Sequence, residues 1–462
     1  MSEIFDLLAR NGLKDDAQIE SIVMNKWSIG DIVTMSNEIS QVLEKNIKPR
    51  EQRLLTDYTF VPNSDMSAQH HGGCPEWNCR LRRIDNLSRF CTMYADQVYI
   101  QNYFAEFEHE PTTKHEEFHF RYTFAGDLKV MLRLRPLIEN GIIQWVPQTE
   151  PGFHMCPSCA KELIPSFEEV NERLERHIDA LNKKYLKDTS ATLEKTPELG
   201  LYFVHSKGSK ELWEHGEVIS ILEQAPRSML AKLKASVEKS QLSKRDIDKL
   251  GVVRGTLHEI ALDIWTKHFL SRFLGLNAKY LTNREIDISF IEAITEDTDF
   301  KMYNQILKAR LLIELPILDG IPISKLLDIR RKEFGAFLLY RDGIDEIIKN
   351  YILPRKPLSE LDVSEVYQDV IQPKLNQINM RVKAIKKSLT KKLALNVGIT
   401  GGILGIGLLS NILTPELKVL LGVVGGIPAI RNFIETALEL TGTPEEIRAD
   451  NFYFLWKVSQ KA

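Results

Sequence analysis

Four of the five cysteines fall in two tight pairs, Cys74/Cys79 and Cys156/Cys159. The first closes the run His-His-Gly-Gly-Cys-Pro-Glu-Trp-Asn-Cys from His70, and the second lies in His-Met-Cys-Pro-Ser-Cys from His154. Two thiolates a few residues apart in a turn can grip one tetrahedral ion, and a second such pair completes its shell. The spacing therefore predicts a closed four-cysteine zinc site joining loops with 76 residues between them. Such a site is structural, because four thiolates leave no open position for a substrate.

A second set of chemistry-bearing residues is His115-Glu116-Glu117-Phe118-His119. It matches the string in which two histidines one helical turn apart bind zinc and a glutamate activates water. The setting is poor for that chemistry. Pro111-Thr112-Thr113-Lys114 precedes the string, Glu117 and Arg121 add charge, and no third ligand lies at a usual downstream spacing. A metal-dependent hydrolase using His115, Glu116 and His119 is carried as an alternative, against a solvated charged loop. No phosphate-binding loop or nucleophile elbow is present in the string of residues: Gly401 to Gly407 lacks both the preceding strand and the lysine-serine that a phosphate loop needs.

The elements that must position these residues read as follows. Residues 1–52 carry helical spacing at Ile4, Leu7 and Leu8 and again from Ile32 to Leu43. Asp85 is expected to cap a short helix bearing Leu87, Phe90, Cys91 and Tyr94, with Cys91 a core residue. A strand at Val98–Ile100, a charged loop from Gln101 to Phe120, a helix from Asp127 to Asn140 and a strand at Ile142–Val146 follow. Pro136 should kink or divide that helix. The order predicts parallel strands joined by a helical crossover. Helix starts and strand ends then share one edge of the sheet, which would receive both cysteine pairs. The histidine-rich loop leaves the same edge, where open α/β sheets bind their ligands.

Beyond Pro165 helices dominate: an amphipathic one from Phe167 to Leu186, then spans at 255–275, 298–314, 323–350 and 361–392. Strand is expected between Asp188 and Ser206, and Ser240 to Lys249 reads as a surface turn. Leu393 to Leu413 holds 21 residues without a charge, preceded by a basic run from Arg381 to Lys392. Glycines spaced along it, and along the return limb Val419 to Ile430, allow close helix contact. The return limb has only 12 uncharged residues, short of the roughly 20 that span a bilayer. A buried hairpin is the plainer account, with peripheral membrane association through 381–430 beside it.

The fold class that follows is mixed α/β and predominantly helical. It comprises N-terminal helices (1–52), a zinc-stapled α/β domain (53–165), a mainly helical domain with a few strands (166–390), and a glycine-rich apolar hairpin with an aromatic C-terminal segment (391–462). At 43% hydrophobic and 27% charged residues, with net charge −3 over 462 residues, the chain has the composition of a folded globular protein. That balance gives no global attraction for nucleic acid. No apolar export core follows Met1, and paired thiols favour a reducing compartment, so the expected location is cytoplasmic. The functional expectation is a binding, sensing or scaffold protein with a protein partner and structural zinc. A membrane-acting effector using residues 393–430 is the alternative.

Overall fold

A computed structural model of the chain describes residues 2–46, 56, 58–69, 73–108, 110–111, 113–146, 167–196, 201–222, 239–273, 278–282, 284–295, 318, 321–352, 363–384 and 445–460. Helices predominate, and two four-stranded sheets make the protein mixed α/β. The chain divides into two compact units, Met1–Ile313 and Glu314–Ala462.

Both sheets belong to the first unit. The strands are β1 (Thr59–Pro62), β2 (Gln97–Gln101), β3 (Ile143–Val146), β4 (Ser190–Thr196), β5 (Leu201–Lys207), β6 (Glu217–Leu222), β7 (Lys239–Gln241) and β8 (Lys279–Leu281). One sheet has the order β3-β2-β1-β8, and every neighbouring pair in it is parallel. The expected crossover is present, since helices α4 (Trp77–Met93) and α5 (Lys114–Glu139) link β1 to β2 and β2 to β3. β1 and β3 are buried along their whole length, as a parallel sheet covered on both faces requires. β8 joins the far side of β1, with Pro62 paired to Leu281. A proline is tolerable there because it ends the strand.

Local chemistry sets where these helices begin. Glu76, not Asp85, caps α4, its carboxylate accepting the Cys79 N–H at 3.1 Å; Asp85 lies inside the helix. The segment expected as a charged loop is mostly helical. After a short turn at Phe104–Glu108, α5 starts at Lys114, thirteen residues ahead of the expected Asp127, because Thr113 and Glu116 form a reciprocal capping box. Pro136 falls in the last turn, and α5 continues past it to Glu139. Of the N-terminal helices, α1 (Ser2–Arg10) buries Ile4, Leu7 and Leu8, α2 (Asp16–Asn25) buries Ile19 and Val23, and α3 (Ile29–Lys45) buries Ile32, Met35, Ile39 and Leu43 at helical spacing. Arg121 of α5 donates to the Val23 and Trp27 carbonyls at 2.9 and 2.6 Å, satisfying the open end of α2.

α4 is locked onto α5 by a buried ion pair. Arg80 bonds Asp127 and also donates to the Ala68 carbonyl at 2.9 Å, with both charged side chains at most 1% exposed. Gly126 makes room for it, since a Cβ there would lie 2.4 Å from the Arg80 guanidinium. Beside this pair Trp77 stacks on Tyr122 with ring centroids 4.4 Å apart, and the Lys129 ammonium sits 3.5 Å over its ring.

The second sheet is antiparallel, in the order β6-β5-β4-β7. Its buried residues Ala191, Leu193 and Val204 pack with Leu242 and Ile247. Helices α6 (Phe167–Asp188), α7 (Lys244–Leu250), α8 (Val252–Phe273) and α9 (Glu285–Thr295) complete the unit. The stretch expected as a surface turn at 240–249 instead joins β7 to α7, whose start is a capping box between Ser243 and Asp246.

The second unit is helical among its described residues: α10 (Ile323–Lys332), α11 (Phe334–Ile347), α12 (from Val363 through a π-helical turn at Tyr367–Ile371 to residue 384), α13 (Glu445–Arg448) and α14 (Tyr453–Ser459). The aromatic C-terminal segment packs back as expected, Phe454 meeting Phe337 and Tyr340 at 5.3 Å each. Gly343 allows this approach, because a Cβ there would stand 3.0 Å from Asn451. The spans 298–314 and 393–430 lie outside the described residues. Among those described, no helix is long and apolar enough to cross a membrane.

Candidate metal centre

The chain leaves β1 in a tight turn held by its own side chains. Asn63 Oδ1 accepts the Met66 amide at 2.7 Å, and the Ser67 amide donates to the Asn63 carbonyl at 3.0 Å. Gly73 then takes a left-handed conformation, φ +71°, against this turn. A Cβ on it would fall 2.4 Å from Asp65 Oδ1 and 2.5 Å from Arg83 Nη1, so only glycine fits. Cys74 follows at once, its carbonyl held by Arg83 at 2.7 Å. Cys79 is fixed one turn into α4 by the Glu76 cap.

The third group comes from the other sheet. Residues 208–216 connect β5 to β6 and are pinned at both ends by the Gly208 amide donating to the Gly216 carbonyl at 2.8 Å. Leu212 and Trp213 are buried in the core formed with α6, α8 and α9, and Trp213 donates to Thr256 Oγ1 at 3.1 Å. This anchoring presents Glu214 and His215 outward. Glu214 accepts from Arg82 at 2.6 Å and Arg83 at 3.0 Å, clamping the loop to α4. His215 Nε2 then lies 3.4 Å from Cys79 Sγ, and the ligand atoms of Cys74, Cys79 and His215 all lie within 4.8 Å of one another.

These separations suit one ion. Tetrahedral zinc bonded to sulfur and nitrogen at its usual lengths places its ligand atoms about 3.5–3.8 Å apart. Both cysteines are half-buried and His215 is exposed. Burial pushes the Cys79 thiol up to about 11, helped by the hydrogen bond and charge of Cys74 and by Glu214, while Arg82 acts against the rise. A thiol so held is a poor nucleophile at neutral pH. A bound divalent cation would reverse the balance by taking the thiolate directly.

The structure therefore unites Cys74 and Cys79 and adds His215. Cys156 and Cys159 lie outside the described residues. Cys91 is fully buried on α4, as expected of a core residue. Glu116, the prospective water activator, caps α5 by accepting the Thr113 amide at 3.1 Å, and His119 is exposed. The side chain of His115 is outside the described residues. Among the described residues, Cys74/Cys79/His215 is the one group of histidine, cysteine and carboxylate atoms close enough to share an ion. His215 carried little signal, being a lone histidine 136 residues from Cys79 whose only local mark is the following Gly216.

No protein-family model, curated protein or solved structure matches this chain.

Proposed function

We propose that Cys74, Cys79 and His215 hold a structural zinc ion, with a thiolate from Cys156 or Cys159 as the fourth ligand. The chain then acts as a zinc-stapled binding or scaffold protein of a reducing compartment, meeting a protein partner rather than turning over a substrate. One observation carries this reading: ligands delivered by different sheets converge within a single ion's reach. Soft sulfur with imidazole selects zinc over calcium or magnesium. A filled fourth position would leave the ion no site for water, which separates a staple from a catalyst.

Metal analysis of carefully reduced, purified full-length chain tests it. About one zinc per chain is expected, lost in Cys79→Ser and in His215→Ala. Loss in Cys156→Ser or in Cys159→Ser identifies the fourth ligand. Metal-free protein that is folded and gains no stability from added zinc would overturn the proposal.

A further inference from the structure

The parallel sheet changes direction at β1. From β1 the chain moves through β2 to β3 on one side, whereas β8 is added on the other. In open sheets the crevice beyond the strand ends at such a point is where ligands enter. Here the residues just past those ends are polar and buried: Asn63 and Ser64 after β1, Asn102 after β2, and Thr282 after β8.

Most of their acceptors are occupied, although Asp287 Oδ1 has no hydrogen bond and meets only the Arg284 charge. Asp287, fully buried, accepts from Asn63 Nδ2 at 2.9 Å, Thr282 Oγ1 at 2.6 Å and Tyr280 at 3.1 Å, and pairs with Arg284 at 3.0 Å. Asp263 accepts from the Ser64 amide at 2.9 Å and its hydroxyl at 2.5 Å. Asp65 pairs with Arg83 at 3.3 Å.

The donors are not spent in the same way. Lys267, 3% exposed, gives two of its three N–H bonds to neutral amide oxygens, Gln69 Oε1 at 2.9 Å and Gln101 Oε1 at 2.8 Å. Among the described residues no carboxylate lies within ion-pair distance of it. Its burial lowers its pKa, with Asp263 and Glu106 opposing from further off. Asn102, fully buried beside Gln101, spends its oxygen on the Phe104 amide at 3.1 Å, and its Nδ2 has no hydrogen-bond partner. Arg284 Nε is buried and unpartnered too. Around Lys267 and Asn102 the unspent groups are donors, and a group rich in acceptors matches them.

We propose that this carboxyl edge binds the oxyanion of a small molecule, a phosphate or a carboxylate, with Lys267 as the central donor and Asn102 beside it. Its donors are none of the metal-ligating residues, and the proposal does not depend on the zinc reading.

Calorimetric titration of the full-length chain with inorganic phosphate, adenosine monophosphate and citrate tests this. At least one probe is expected to bind, and which of them does so distinguishes free phosphate, a nucleoside phosphate and a carboxylate. Lys267→Met should weaken that probe roughly tenfold or more, and Asn102→Ala roughly two- to tenfold. Hydrogen exchange on the wild type gives a readout independent of variant folding: the bound probe should slow exchange at residues 63–69 and 101–104. Failure of all three probes to bind at millimolar concentration would overturn the site. So would unchanged affinity in folded Lys267→Met, or binding that leaves exchange at those residues untouched.

Discussion

The two sheets of the first unit meet water in opposite ways. The parallel sheet is buried on both faces, so its polar groups gather at one edge and beneath the helix starts, where each must find a partner or be costly. The antiparallel sheet keeps one face in solvent: Ile219 is 57% exposed, and the Glu194–His205 pair at 3.2 Å is open to water. Burial makes the first region's charges matter individually, while the second contributes chiefly through the anchored loop that carries Glu214 and His215. Position relative to solvent, rather than the number of charges, decides where chemistry is concentrated.

That contrast can be broken by experiment. The largest expected effect is at the buried pair: Arg80→Ala should cost about 3–5 kcal/mol in chemical denaturation, because Asp127 is left charged and buried. A loss under about 1 kcal/mol would place this pair with the surface ones. Chelation should come next; with free zinc at a hundredfold its dissociation constant, removal lowers stability by about 2.7 kcal/mol. Gly73→Ala should cost roughly 1–3 kcal/mol from its left-handed backbone and from overlap with Asp65 and Arg83, and should weaken metal binding along with stability.

A smaller effect tracks pH. Burial lowers the pKa of His177, whose ring contacts Phe290 and whose Nε2 lies 3.0 Å from Ser289 Oγ. The unfolded chain then binds this proton more readily than the folded one. Stability is complete above the ordinary histidine value and falls as pH drops from it through the lowered folded value. His177→Gln should flatten that acid limb in melts run between about pH 7 and 4. Smallest of all, Glu194→Gln on the antiparallel sheet should change stability by less than about 1 kcal/mol. A larger cost there would collapse the distinction between the sheets.

Much of the parallel sheet was legible in the sequence. The alternation of short apolar runs with amphipathic stretches marks β2, β3 and the helix between them, and the first cysteine pair falls at the helix start as that topology requires. β1 leaves no such mark, for it is four residues ending in proline, and its partner β8 comes more than two hundred residues later. The start of α5 was written plainly in Thr113 and Glu116 but was masked by the density of charge around them. His215 and Lys267 belong to another category. Each gains its chemistry from neighbours supplied by distant parts of the chain, and no window of sequence contains them together.

The distance along the chain between Cys79 and His215 bears on how the protein is made. Bringing ends 136 residues apart together costs about 4 kcal/mol of chain entropy. Docking of the two sheets meets that cost in the folded chain, so a metal held by Cys74, Cys79 and His215 would find its three described ligands already brought together. A chain halted before residue 215 already holds all five cysteines but not His215, so a centre that uses His215 could be completed only once the loop from β5 to β6 has been made.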